Sequence, residues 1–150
     1  MSQKTHTPQT RPFRWDGVSV LAYKPDGGTH FRDITRQVLF DDASPHGVQL
    51  RYFEIAPGGH STLEWHEHTH AVVVLRGRGR ALVGSRVHTL GTRDLVRVPP
   101  RTWHQFRAGP RTALGFLCVV PTERDKPRRP TPADLRRLRA HPAVRRFVRV

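Results

Sequence analysis

The sequence is poor in cysteine: Cys118 is the only one in 150 residues. An internal disulfide is therefore excluded. Cys118 sits in the apolar run Leu114-Gly115-Phe116-Leu117-Cys118-Val119-Val120 and reads as a small buried hydrophobe rather than a reactive thiol. Long apolar runs are missing as well. Met1 to Pro12 is polar, so neither a signal peptide nor a membrane span is expected there, and the default location is the cytoplasm. Acidic residues are few, 12 against 26 lysines and arginines, which leaves a formal charge of +14. Such a balance suits a polyanionic partner. The excess lies largely between Arg124 and Arg149, however, and no nucleic-acid motif with interleaved aromatics accompanies it, so a solvated arginine-rich surface is the expected reading. Repeats, low-complexity tracts and a second domain are also lacking. Gly77-Arg78-Gly79 has neither the spacing nor the strand-to-helix context of a phosphate loop, and no serine or cysteine stands in a nucleophile motif.

What is present reads as one all-β domain, since the chain is long enough to bury a core and short strands follow one another between turns. Residues 1–14 are expected to be a flexible N-terminus, 15–121 a barrel, and 122–150 a basic linker with C-terminal helices. Strands are expected at Val18 to Lys24, Phe31 to Ile34, Arg36 to Phe40 and Val48 to Ile55, with Pro25-Asp26-Gly27-Gly28 as a turn. Gly84-Ser85, flanked by Val83 and Val87, signals a two-residue hairpin. Near the end, Thr131-Pro132-Ala133-Asp134 carries an N-cap, a proline at the first helical position and an acid in the first turn. Leu135, Leu138, Val144 and Phe147 then form a broken apolar stripe interrupted by Pro142. Two short helices are expected, packed on the barrel or on a neighbouring subunit.

The chemistry concentrates in Gly58-Gly59-His60-Ser61-Thr62-Leu63-Glu64-Trp65-His66-Glu67-His68-Thr69-His70, followed by Ala71-Val72-Val73-Val74-Leu75-Arg76-Gly77. Residues two apart on a strand share a face, so Glu64 and His66 converge while Trp65 turns away. His70 can fold back over the same point if residues 67–69 turn. A further imidazole, His104, follows the strand break at Pro99-Pro100.

These two blocks resemble the two signature motifs of the cupin superfamily, in particular small single-domain cupins of type 2. Those motifs are His-x-His, three or four residues, Glu, six residues, Gly, and later a proline turn followed by His. Six residues back from Gly77 is His70, and the His-x-His pair falls on Glu64 and His66, so acid and imidazole have exchanged places. The resemblance implies a double-stranded β-helix barrel with a short helical tail. Its ligand set would be Glu64, His66, His70 and His104, holding one divalent transition metal among Fe, Mn, Zn, Ni and Cu. A second register remains open, because His66 and His68 themselves spell His-x-His, which would make His68 a ligand.

Such a site leaves coordination positions open, a catalytic arrangement rather than a closed structural one. By resemblance the expected function is that of a metal-dependent oxidoreductase, dioxygenase-like, acting on a small aromatic or enolisable molecule. Glu64 is the candidate catalytic acid or base. Val72, Val74 and Phe106 share strand parity with the ligands and are expected to line the pocket; Gln49, Arg51 and Tyr52 lie on a neighbouring strand, and Tyr52 is a further pocket candidate. The rival reading is a non-catalytic ligand-binding or sensor barrel, and polyanion binding by the tail is a third. A homodimer is expected from the family resemblance.

Overall fold

The computed structural model describes residues 4–150. Its frame is a nine-stranded antiparallel sheet, running β8(Arg86–Leu90), β7(Gly79–Val83), β10(His104–Ala108), β5(Val48–His60), β11(Leu114–Pro121), β6(His70–Gly77), β9(Leu95–Val98), while β4(Arg32–Asp41) also pairs with β5 and β3(Leu21–Ala22) pairs with β4. A separate hairpin, β1(Gln9–Arg11) with β2(Arg14–Trp15), precedes it. Among the described residues no helix is long and apolar enough to cross a membrane. The curled sheet and short terminal helices are the all-β barrel architecture anticipated above.

Strand β5 is the hub. Over residues 48–55 it pairs with β11, and at His60 it pairs with Arg107 of β10. The change of partner happens at Pro57-Gly58-Gly59, where Gly58 has a positive φ of 77° and donates its N–H to the Gly109 carbonyl. A side chain is disfavoured in that conformation, and the glycines let the strand bend without breaking. Gly77 is the second such point: its φ is 73° and a Cβ there would overlap the Ala113 carbonyl oxygen.

Inside the curl, Phe53, Phe106 and Phe116 stack, with ring centroids 5.5 and 4.8 Å apart, among Ile55, Val72, Val74 and Leu114. A second apolar cluster forms outside the sheet, where Leu63 and Leu82 meet Val144, Phe147 and Val148. Val144 and Phe147 come from α2(Pro142–Phe147), which follows α1(Pro132–Arg139), and Val148 is the C-cap of α2. Helix α1 begins with a capping box in which the Thr131 side chain accepts from the Asp134 backbone N–H and the Asp134 side chain accepts in return. Pro142 begins the second helix as its first residue. The helices therefore pack on their own barrel. Gln105, fully buried on the opposite face of β10 from His104, fixes them there: its amide donates to the Ser61 and Arg149 carbonyls and accepts from the Arg149 N–H.

Several details differ from expectation. The Val18 to Lys24 strand is reduced to β3, because the turn at Pro25 begins with a Gly27 to Lys24 hydrogen bond that draws the end of the segment away from the sheet. The two segments expected between Phe31 and Phe40 are one strand. Within residues 4–14, expected to be flexible, Phe13 stacks on Tyr52 at 5.6 Å and anchors the hairpin; Met1 to Gln3 lie outside the described residues.

Candidate metal centre

Between β5 and β6 the chain from Ser61 to Thr69 is not a regular strand. Two isolated bridges hold it, Glu64 with His104 and Trp65 with Arg128. The first joins the two sequence motifs directly, through Glu64 N–H to the His104 carbonyl at 3.2 Å and the reverse bond at 3.0 Å. The parity argument survives this irregularity: Glu64 and His66 line the interior, while Trp65 turns out to meet Trp103 edge-on at 6.3 Å. At Glu67 and His68 the chain bends around Asp125, whose carboxylate accepts from the Glu67 N–H at 2.9 Å and pairs with His68 Nδ1 at 2.8 Å. His70 is then delivered to the first position of β6, paired with Val98.

His66, His70 and His104 come together as one cluster, their candidate ligand nitrogens all within 4.8 Å of one another. The His66 Nδ1 lies 2.8 Å from the His68 carbonyl and the His104 Nδ1 2.9 Å from the Thr102 carbonyl. A carbonyl can only accept, so each Nδ1 carries the proton and each Nε2 presents a lone pair. Both of those Nε2 atoms are buried with no hydrogen-bond partner, and so are both ring nitrogens of His70. Buried polar atoms are normally satisfied, and lone pairs left open at one point fit a cation. Burial lowers the pKa of all three rings, to about 4 for His66 and His104 and well below the usual value for His70, with repulsion from neighbouring basic side chains adding to the effect. They are thus neutral near pH 7, the form in which imidazole binds a metal.

The other expected residues fall around this cluster in different ways. Glu64 is buried and lines the same cavity, but its carboxylate is outside the three-nitrogen group and is ion-paired to Lys24 at 3.0 Å. His68 lies parallel to His66, with centroids 3.7 Å apart, and its Nδ1 is taken by Asp125. Phe106 lines the cavity as expected from its parity. Val72 and Val74 share the His70 face yet are buried in the core cluster and do not line the cavity. Tyr52 does not reach it either. Its neighbours in sequence, Arg51 and Phe53, line the cavity, so strand alternation sends Tyr52 to the outer face, where it packs under Phe13 and Trp15 and donates to Glu54 at 2.8 Å.

The cavity has a volume of about 200 Å3. Pockets for drug-sized ligands start near ~300 Å3, so this one suits a small metabolite. Its floor is aromatic, from Phe53, Phe106 and Phe116, and its wall carries four cations, Lys24, Arg36, Arg51 and Arg124. Tyr23 completes it, with a phenol pKa raised by burial and by the nearby Glu64 charge. The sequence alone did not single out Lys24, Arg36, Arg124 or Asp125 as site residues. Each is an isolated residue on a different segment, and only the tertiary fold brings it to the site. Cys118 is buried in the core cluster; burial raises its thiol pKa although Arg51 donates to its sulfur at 3.2 Å.

Comparison with known proteins gives a consistent picture. The family described as Cupin domain matches residues 51–120. A protein of Rhodospirillum rubrum named 1-methylthio-D-xylulose 5-phosphate methylsulfurylase is 53% identical over 152 residues, covering 99% of this chain and 97% of that protein. The crystal structure of a cupin 2 conserved barrel domain protein from Rhodopseudomonas palustris superposes with a TM-score of 0.91 at 47% identity, covering 97% of this chain and 100% of that one. A cupin-2 domain structure from Rhodospirillum rubrum gives 0.84 at 53% identity, with 95% and 94% coverage.

Proposed function

The chain belongs to the cupin family, and from that premise we propose that it is a metal-dependent enzyme removing a methylthio group from a small phosphorylated ketose. The observation that carries the metal is the set of buried, unpartnered imidazole nitrogens of His66, His70 and His104. The reaction class comes from the Rhodospirillum rubrum relative, whose name places a methylthio group on C1 of a 2-ketose phosphate. That carbon is adjacent to a carbonyl. This moves the reading from the dioxygenase-like chemistry suggested by the sequence toward cleavage of a carbon–sulfur bond.

In balanced form, a thiol takes the methylthio group as a mixed disulfide, the C1–S bonding pair passes to C1, and a proton completes a methyl ketone. A divalent ion on the three imidazoles would act as a Lewis acid toward the ketone oxygen. The chain's own residues supply the remainder. Glu64, buried beside the cluster and charge-balanced by Lys24, is placed to hold the proton exchanged at C1. The His68 carbonyl and the Thr102 carbonyl fix two of the rings, and the three phenylalanines present an apolar surface for the methylthio end.

The test is incubation of the purified protein with 1-methylthio-D-xylulose 5-phosphate and a low-molecular-weight thiol, with mass spectrometry of both products. Turnover that disappears on chelation and returns with one divalent ion supports the reading. No turnover with Fe, Mn, Zn, Ni or Cu would overturn it.

A further inference from the structure

Resting on the proposed function and extending it to recognition, we infer that Arg36, Arg51 and Arg124 form the subsite for the substrate's phosphate group. They come from three places, β4, β5 and the segment after β11, and all line the one cavity. Their hydrogen bonds go to uncharged groups. Arg36 Nε donates to the Ala22 carbonyl, Arg51 Nη2 to the Cys118 sulfur, and Arg124 to the Pro121 and Thr122 carbonyls and the Gln49 side chain. A guanidinium carries five N–H donors, so each retains some to offer. Arg51 Nε is buried with no partner at all.

The charge balance of the cavity points the same way. Among the described residues the one carboxylate lining it is Glu64, which Lys24 already neutralises. Repulsion from Arg51, second to burial, lowers the pKa of both Arg36 and Arg124, while the Asp41 charge, which lies outside the cavity lining, acts in the opposite direction on Arg124. Three like charges around a small, partly enclosed space are unfavourable until an anion joins them, and planar guanidiniums match phosphate oxygens in bidentate fashion. The surplus suits a dianion better than a single carboxylate. Arg51 also lines the same cavity as His66, His70 and His104. A phosphate held here therefore puts a short carbon chain alongside the imidazole cluster, within a cavity of about 200 Å3.

Calorimetric titration of the metal-loaded protein with D-xylulose 5-phosphate, D-xylulose and inorganic phosphate tests this. The phosphorylated sugar is expected to bind at least 100-fold more tightly than the sugar, with inorganic phosphate competing. Arg51→Gln should reduce that preference tenfold or more at unchanged metal content. Arg36→Gln reads the same loss without disturbing the contact to Cys118. Equal binding of the two sugars, or an undiminished phosphate preference in both variants, would overturn the subsite. The two proposals fail separately: phosphate-dependent binding without methylthio turnover removes the reaction and leaves the subsite. Equal turnover of the phosphorylated and dephosphorylated methylthio ketoses removes the subsite and leaves the reaction.

Discussion

Lys24 Nζ lies 3.0 Å from Glu64 Oε2, an ion pair spanning 40 residues of sequence inside the cavity that the imidazoles line. The pair engages a buried carboxylate that lies outside the three-nitrogen group. Glu64→Gln preserves shape and removes the proton-accepting charge. Expected is a fall in turnover of about 10²–10⁴-fold, the usual range for a general acid or base, with metal content retained. If elemental analysis instead shows metal lost together with rate, Glu64 is a ligand, as the family resemblance implied, and the Lys24 pair opens on metal binding.

Alanine at His66, His70 or His104 should each reduce bound metal to trace levels in elemental analysis. His68→Ala should keep a full complement at saturating metal. Its loss removes the ring stacked on His66 and the tether to Asp125, so affinity should weaken by about 10–100-fold, as for other groups that orient a ligand. Metal lost by His68→Ala as completely as by His66→Ala would select the register in which those two residues form the His-x-His pair.

Acid should destabilise the metal-free protein over a definite interval. The buried rings of His66 and His104 titrate at about 4 when folded, against 6.5 when unfolded. Between these values the unfolded chain binds more protons, so stability is complete above pH ~6.5 and is lost as pH falls toward ~4. A shift of this size corresponds to about 3 kcal/mol for a single ring at ~1.4 kcal/mol per unit, and the neighbouring rings will not add independently. Urea midpoints of metal-free protein at pH 7, 5.5 and 4.5 check this; a flat profile would contradict the shielding of the cluster.

Phe147→Ala should cost about 3–5 kcal/mol in chemical denaturation, since its ring is fully buried against Leu63 and Leu82. Removing residues from Arg124 onward takes away Asp125, which sets the bend before His70, and every helical residue of the outer cluster. The truncated chain is expected to be insoluble or to unfold at a much lower temperature, with its metal lost.

Local rules carried the sequence reading a long way where each signal lay within a few residues. The Gly84-Ser85 hairpin, the Thr131 N-cap and the strand restart at His104 all appear as expected. The clustering of His66 with His70 also follows from spacing, once the bend at residues 67–68 is allowed. Facing on β5 was not resolvable from alternation alone, because Tyr52 offers as much apolar surface to the outer face as Phe53 does to the inner one. The cations were hidden for another reason. Arg36, Arg51 and Arg124 are three among 26 basic residues, and nothing local marks the ones that the sheet register turns inward.

The bond between Gln105 and Arg149 has a consequence for the order in which a newly made chain can finish its site. Gln105 follows His104 directly, and its backbone partner at Arg149 is 44 residues further on. A ribosome adding ~5–20 residues per second needs about 2–9 seconds to supply it. During that interval β10 lacks the clamp that holds its outer face, and the segment carrying Arg124 and Asp125 is still being made. Under the metal-dependent reading proposed above, ion capture would accordingly be a late step of biogenesis, completed on a nearly finished barrel rather than serving as the seed around which the barrel forms.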